Sequence, residues 1–129
     1  GLPSRMRVFK VAPRVLIDNG ASRTHTVIEV NGRDRRGLLY DLTRAVSSLN
    51  LQIASAHIST FGEAAVDVFY VKDVFGLQIT HDSKLKLIRK VLLSVMKDDE
   101  ADGDADGDAE GHETSRSPAP GATEITAAE

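Results

Sequence analysis

Asn31-Gly32-Arg33-Asp34-Arg35-Arg36-Gly37-Leu38-Leu39-Tyr40-Asp41-Leu42-Thr43 is the stretch on which the reading of this chain turns. Upstream, Arg23 to Asn31 alternates as a strand does, with Thr26, Ile28 and Val30 on one face and His25, Val27 and Glu29 on the other. Downstream, Leu38, Leu42, Ala45 and Leu49 recur at helical spacing, and Leu39 and Val46 widen the stripe. Asn31 to Gly37 is therefore expected to be a polar, glycine-bearing loop joining a strand to a helix. Asp34 is the expected N-cap and Asn50 the expected C-terminal stop. Unpaired backbone N–H groups and the positive end of the helix dipole meet at such a point, which suits it to hold a carboxylate. The same composition also serves ordinary strand-to-helix turns. With no nucleophile, metal cluster or acid pair beside it, the loop points to recognition of a small ligand and not to bond-breaking.

The flanking segments complete the order of elements. Arg14 to Asp18 is β-prone, and Asn19-Gly20-Ala21-Ser22 breaks it before the next strand, so the two are expected to form an antiparallel hairpin. Leu51 to Thr60 and Ala64 to Val71 read as two further strands turned by Phe61-Gly62-Glu63. Thr80 is placed to cap a second helix running to about Lys97, with Asp82 in its first turn and Leu85, Ile88, Leu92 and Val95 as its apolar stripe. The order ββαββα predicts an α+β, ferredoxin-like sandwich: a four-stranded antiparallel sheet with two helices on one face. Its edge strand comes from the N-terminus, where the usual order βαββαβ supplies it last.

Composition bounds what surrounds this unit. At 129 residues, 41% of them hydrophobic, the chain holds one modest core and an appendage. There is no Cys, hence no disulfide framework and no thiolate metal site, and a cytoplasmic location is expected. No apolar run approaches the roughly 18 residues that span a bilayer, and no membrane partner is expected. The chain opens on Gly1-Leu2-Pro3-Ser4, which reads as a piece of a longer protein. Residues 1–97 carry 15 Lys/Arg against 8 Asp/Glu, a surplus of +7, while residues 98–129 carry one Arg against 11 acids. The basic charges are scattered singly or in pairs with little aromatic interleaving, so nucleic acid is not the expected partner. From Asp98 onward the Asp/Gly/Ala/Glu and then Ser/Pro/Thr composition predicts disorder. The expected organisation is an extension at 1–13, the folded domain at 14–97 and an acidic tail at 98–129.

Asp34-Arg35-Arg36-Gly37-Leu38-Leu39 stands in an ordered set of segments: Val27-Ile28-Glu29-Val30 before it, then Ile53 to Thr60 and Asp67-Val68-Phe69-Tyr70-Val71 after it. That set, over roughly residues 14–97, resembles the ACT domain, a small regulatory module. Val11 to Asn19, Ser22 to Val30 and Phe69-Tyr70-Val71-Lys72-Asp73-Val74-Phe75-Gly76-Leu77 are further similar to the C-terminal ACT domains of the bacterial PII uridylyltransferase family. Enzymes of that family attach UMP to the PII nitrogen-signalling protein and remove it. The resemblance implies an amino-acid sensor, with glutamine as ligand. Backbone N–H groups near Gly37, Leu38 and Leu39 would hold the α-carboxylate, Asn31 and Asp34 would face the ammonium or side-chain amide, and Arg36 would add positive charge to the loop. The chain carries Arg36 where the family usually has Pro. The resemblance also implies that this segment is non-catalytic and needs no cofactor, that Mg2+ serves the parent enzyme, and that PII is met through that parent. A second ACT domain is expected over the open sheet face, because Val66, Val68 and Tyr70 alternate with Ala65, Phe69 and Val71 and only Asp67 interrupts.

Two alternatives stay open on sequence. One is an ACT module of an amino-acid biosynthetic enzyme. The other is an RRM-like RNA-binding domain, which would need stacking aromatics on one sheet face, whereas Phe69 and Tyr70 point to opposite faces. Asp102 to Glu113 meets the spacing of an EF-hand loop, but Pro118 and Pro120 spoil an exiting helix, and a repetitive Asp-Gly-Ala tract meets that pattern by chance. His25, His57, His81 and His112 fall on separate elements, so no metal site is expected.

Overall fold

The computed structural model describes residues 11–105 and 122–126, with the backbone alone for 98–105 and 122–126. The strands are β1 (Arg14–Asp18), β2 (Thr26–Arg33), β3 (Gln52–Phe61), β4 (Ala64–Lys72) and β5 (Ala122–Thr126), and the helices are α1 (Leu38–Ser48) and α2 (Asp82–Ala105). The sheet order is β1-β2-β4-β3-β5 with every neighbouring pair antiparallel. The first four strands and two helices are the ferredoxin-like arrangement expected, with β1 beside β2 at the edge.

The alternation along each strand sorts the sheet into two faces. Ile28 pairs with Phe69 and Phe69 with Ala56, while Val30 pairs with Asp67 and Thr26 with Val71. These residues form the face under the helices, where Leu42 and Val46 of α1 and Ile88, Leu92 and Met96 of α2 close the core. Gly32 continues that row, and the Met96 methyl lies where a Cβ on residue 32 would go, so the glycine lets α2 lie close to β2. Val27, Val66, Val68 and Tyr70 lie on the opposite face among Glu29, Asn31, Ser55 and His57. Phe69 is fully buried and Tyr70 half-buried, as their opposite faces require.

Several boundaries move from their expected places, each for a local reason. The β1–β2 connection runs from Asn19 to His25, longer than a tight Asn-Gly turn, because the Ser22 hydroxyl accepts the N–H groups of Thr24 and His25 and holds a turn of its own. Gln78 fills that loop, donating through Nε2 to the carbonyls of Asn19, Ser22 and His25. The first carbonyl of α2 is that of His81, which accepts from Lys84 and Leu85, so His81 and not Thr80 occupies the N-cap. Asn50 follows α1 with φ 64° and donates its N–H to the Ser47 carbonyl, the left-handed stop its side chain favours.

Two described elements reach into the segment from Asp98 onward. Helix α2 continues through Ala105, since an established helix extends residue by residue without a new nucleation cost. Ala122–Thr126 pairs with Ser55–Ser59, where the bare edge of β3 meets a β-prone Thr-Glu-Ile-Thr sequence. The EF-hand-like spacing begins inside α2, and its positions 106–113 lie outside the described residues.

Thr26, with no solvent exposure, is the polar rivet between the N-terminal hairpin and the segment entering α2. Its hydroxyl donates to Asn19 Oδ1 (2.6 Å) and accepts from the Ile79 N–H (2.8 Å), while Asn19 Nδ2 donates to the Ile79 carbonyl (2.7 Å). Thr26→Val keeps the shape and strands both partners. It is expected to cost ~1–3 kcal/mol in urea unfolding, and a cost near zero would show the network to be dispensable.

Candidate functional site

Strand β2 runs on to Arg33, so Asn31, Gly32 and Arg33 belong to the sheet and the connection to α1 is only Asp34–Gly37. The N-cap of α1 is Gly37, at φ 79° and ψ 0°, with no side-chain cap; the expected capping role of Asp34 is corrected. The reason is local. A tight turn closes when the Leu38 N–H donates to the Arg35 carbonyl at 3.2 Å, and it needs a left-handed residue before the helix, which glycine adopts without a steric penalty. With Leu38 so engaged, the first-turn amides of Leu39 and Tyr40 are the ones without an intrahelical carbonyl.

Two ties brace this short loop. The Asp34 N–H donates to the Glu63 carbonyl at 2.8 Å, fixing the loop to the β3–β4 turn. The Arg35 guanidinium spans it, donating to the Arg36 carbonyl (3.0 Å) and to Asp41 Oδ2 in the first turn of α1 (2.6 Å). This bridge gives the backbone around Arg36 a fixed course without a proline there, while the Arg36 side chain is exposed.

The expected site residues are thus partly gathered. Asp34, Gly37, Leu38 and Leu39 cluster at the start of α1, with Leu38 committed to the core and Leu39 half-buried at the surface. Asn31 lies on the open sheet face, where its Nδ2 donates to Glu29 Oε2 (3.0 Å); its Oδ1 is buried without a hydrogen-bond partner. That face also carries Tyr70 between two imidazoles, with ring centroids 6.3 Å from His25 and 5.5 Å from His57, both edge-on. Among the described residues no group of three or more His, Cys, Asp or Glu is placed to hold a metal.

Asp67 is the residue whose importance the sequence understated. It sits at the centre of β4 on the helix-covered face, 1% exposed, and its Oδ1 has no hydrogen-bond partner. Burial pushes its carboxyl up to about 7, with the negative charge of Asp34 adding to the effect. The available signal was its position, the single acid in an otherwise apolar strand. On its outer side α2 gathers Lys86, Arg89, Lys90 and Lys97 around a groove of about 480 Å³ with Leu93 and Ser94, a cluster that their separate places in the sequence hide.

With this geometry in hand, comparison with known sequences is decisive. The family described as ACR9-like, ACT-like domain matches residues 14–99. The chain belongs to the ACT-like domain family. Among curated relatives, it is 70% identical over 98 residues to a bifunctional uridylyltransferase/uridylyl-removing enzyme of Azospirillum brasilense, a match covering 76% of this chain and 10% of that enzyme. Enzymes of the same name from Rhodospirillum rubrum and Gluconobacter oxydans are 59% and 61% identical over 91 and 90 residues, in each case 70% of this chain and 10% of the relative. This ACT-like chain therefore spans about a tenth of the length of the relatives it matches. No solved structure matches it. No helix among the described residues is long and apolar enough to cross a membrane.

Proposed function

We propose that this ACT-like domain is a regulatory glutamine sensor within a bifunctional uridylyltransferase/uridylyl-removing enzyme. In this reading the ligand's carboxylate rests on the open amides at the start of α1, and Asp34 accepts its ammonium. The observation that carries the reading is the left-handed start of α1 at Gly37, which has no side-chain cap, on a short loop that Asp34 opens and the Arg35–Asp41 bridge braces. The identity to enzymes of that name supports the choice of parent. Uridylylation and UMP removal on the PII protein, with the Mg2+ they call for, then belong to the rest of that parent.

Ligand binding controls the parent by favouring one packing of its domains over another, and a coupling of ~1–3 kcal/mol gives a useful switch. A second ACT-like copy covers the open face around Val66, Val68 and Tyr70, whose half-buried apolar side chains support such a contact. Calorimetric titration of the 129-residue chain with glutamine at millimolar concentration is expected to give saturable heat. A flat titration, repeated by NMR without shifts at Gly37 to Tyr40, overturns the sensing role.

A further inference from the structure

Beside the start of α1 lies a groove of about 450 Å³ between that helix and the beginning of β3. Leu39, Thr43 and Ser47 line it from α1; Leu51, Gln52 and Ile53 line it from the strand side. Its volume is that of a small-molecule site, and its make-up is of the same kind: an apolar bed with a few hydrogen-bonding groups. None of its lining residues carries a charge.

The spacing along α1 relates the groove to the loop. Leu39 is in the first turn, and Thr43 and Ser47 follow at intervals of four residues, about 6 Å of rise each. An amino acid whose carboxylate rested at the Leu39 amide could lay its side chain along this groove, where Thr43 and Gln52 are among the hydrogen-bonding residues of the lining. A carboxylate or ammonium tip would lose hydration there with no opposite charge to meet it. A carboxamide, both donor and acceptor, would meet two groups of the same dual character.

We propose that this groove is the side-chain subsite of the domain, and that Thr43 and Gln52 select an uncharged carboxamide side chain over its acidic counterpart. The proposal rests on the amino-acid-binding reading above and assigns the specificity to residues outside the β2–α1 loop.

Titrating the full chain with glutamine, glutamate and norvaline separates the two ideas. Norvaline keeps the carbon chain and lacks the polar tip. The wild type is expected to bind glutamine more tightly than glutamate. Thr43→Val is expected to weaken glutamine about tenfold, as loss of one hydrogen bond that leaves a partner unpaired does, with norvaline unchanged. Thr43→Ser, which keeps the hydroxyl, is expected to bind glutamine as the wild type does. If the wild type binds glutamine and Thr43→Val binds it equally well, the groove assignment fails and the sensor reading stands. Equal losses in the Val and Ser variants overturn the assignment as well, and a wild type that binds none of the three overturns both.

Discussion

Phe69→Ala is expected to cost ~3–5 kcal/mol of folding stability, the most severe effect of any single truncation in this domain. Phe69 has no solvent exposure, lies in the middle of β4, and is the largest of the fully buried side chains. Its strand partners Ile28 and Ala56 are themselves in the core, and Leu42, Ile88 and Leu92 close over the same cluster from the two helices. Removing the ring takes out its transfer free energy and leaves a cavity that neither a sheet nor two crossing helices can collapse around. A domain of this size holds only ~5–15 kcal/mol in total, so the variant is expected to approach the unfolding threshold. Urea denaturation followed by circular dichroism measures the loss. The control is Tyr70→Ala, one residue along on the half-buried face, which is expected to cost less. Equal costs for the two would mean that the sheet is covered on both faces in solution.

That contrast also marks what the sequence made legible. The strand–loop–helix order, the fold and the opposite faces of Phe69 and Tyr70 follow from periods of two and 3.6, which depend on local patterning alone. Boundaries set by long-range hydrogen bonds did not. The Ser22 turn that lengthens the β1–β2 connection is packed by Gln78, more than fifty residues away. Nothing local to Asn19–His25 encodes that. Asp34 carries the composition of an N-cap, yet the turn through Arg35 moves the helix start to Gly37, and a glycine at φ 79° reads in sequence as an ordinary breaker. The site suffers most from this limit. Loop residues announce themselves by type, whereas Thr43 and Gln52 meet only when α1 is laid beside β3, so their separation in sequence hides the groove. The strand at residues 122–126 is hidden for a related reason: its pairing partner is the edge of β3, far from it in sequence.

Asp67→Asn is expected to stabilise the domain at pH 8 and to leave it nearly unchanged at pH 4. The carboxyl stands at about 7 in the folded chain against 3.8 for an ordinary aspartate, first because it is desolvated and second because Asp34 is near. The folded state thus holds this proton more tightly than the unfolded one. By linkage, its contribution is fully favourable below pH 3.8, where both states are protonated, and is lost as the pH rises toward 7, where the folded state must bury a charge. The gap of about three units corresponds to roughly 4 kcal/mol at most between the two ends of that window. Asn keeps the shape and the polarity and cannot ionise, so the variant should escape the loss. Urea midpoints for wild type and Asp67→Asn at pH 4 and pH 8 decide the matter. Every other titrating group is common to both proteins, so only the difference between them needs reading. Parallel curves would mean that the buried carboxylate finds compensation in solution; a gap opening toward pH 8 would identify Asp67 as the acid that the core tolerates only while it is neutral. Asp34→Asn provides the second check, because removing the neighbouring charge should move the wild-type transition to lower pH without abolishing it. An acid kept in the core beside the loop proposed to hold a ligand's ammonium ties the domain's stability to charge at that loop. On the proposed reading, a ligand cation at Asp34 would oppose the same repulsion that Asp34 exerts on Asp67, so ligand and proton would act on one electrostatic pair.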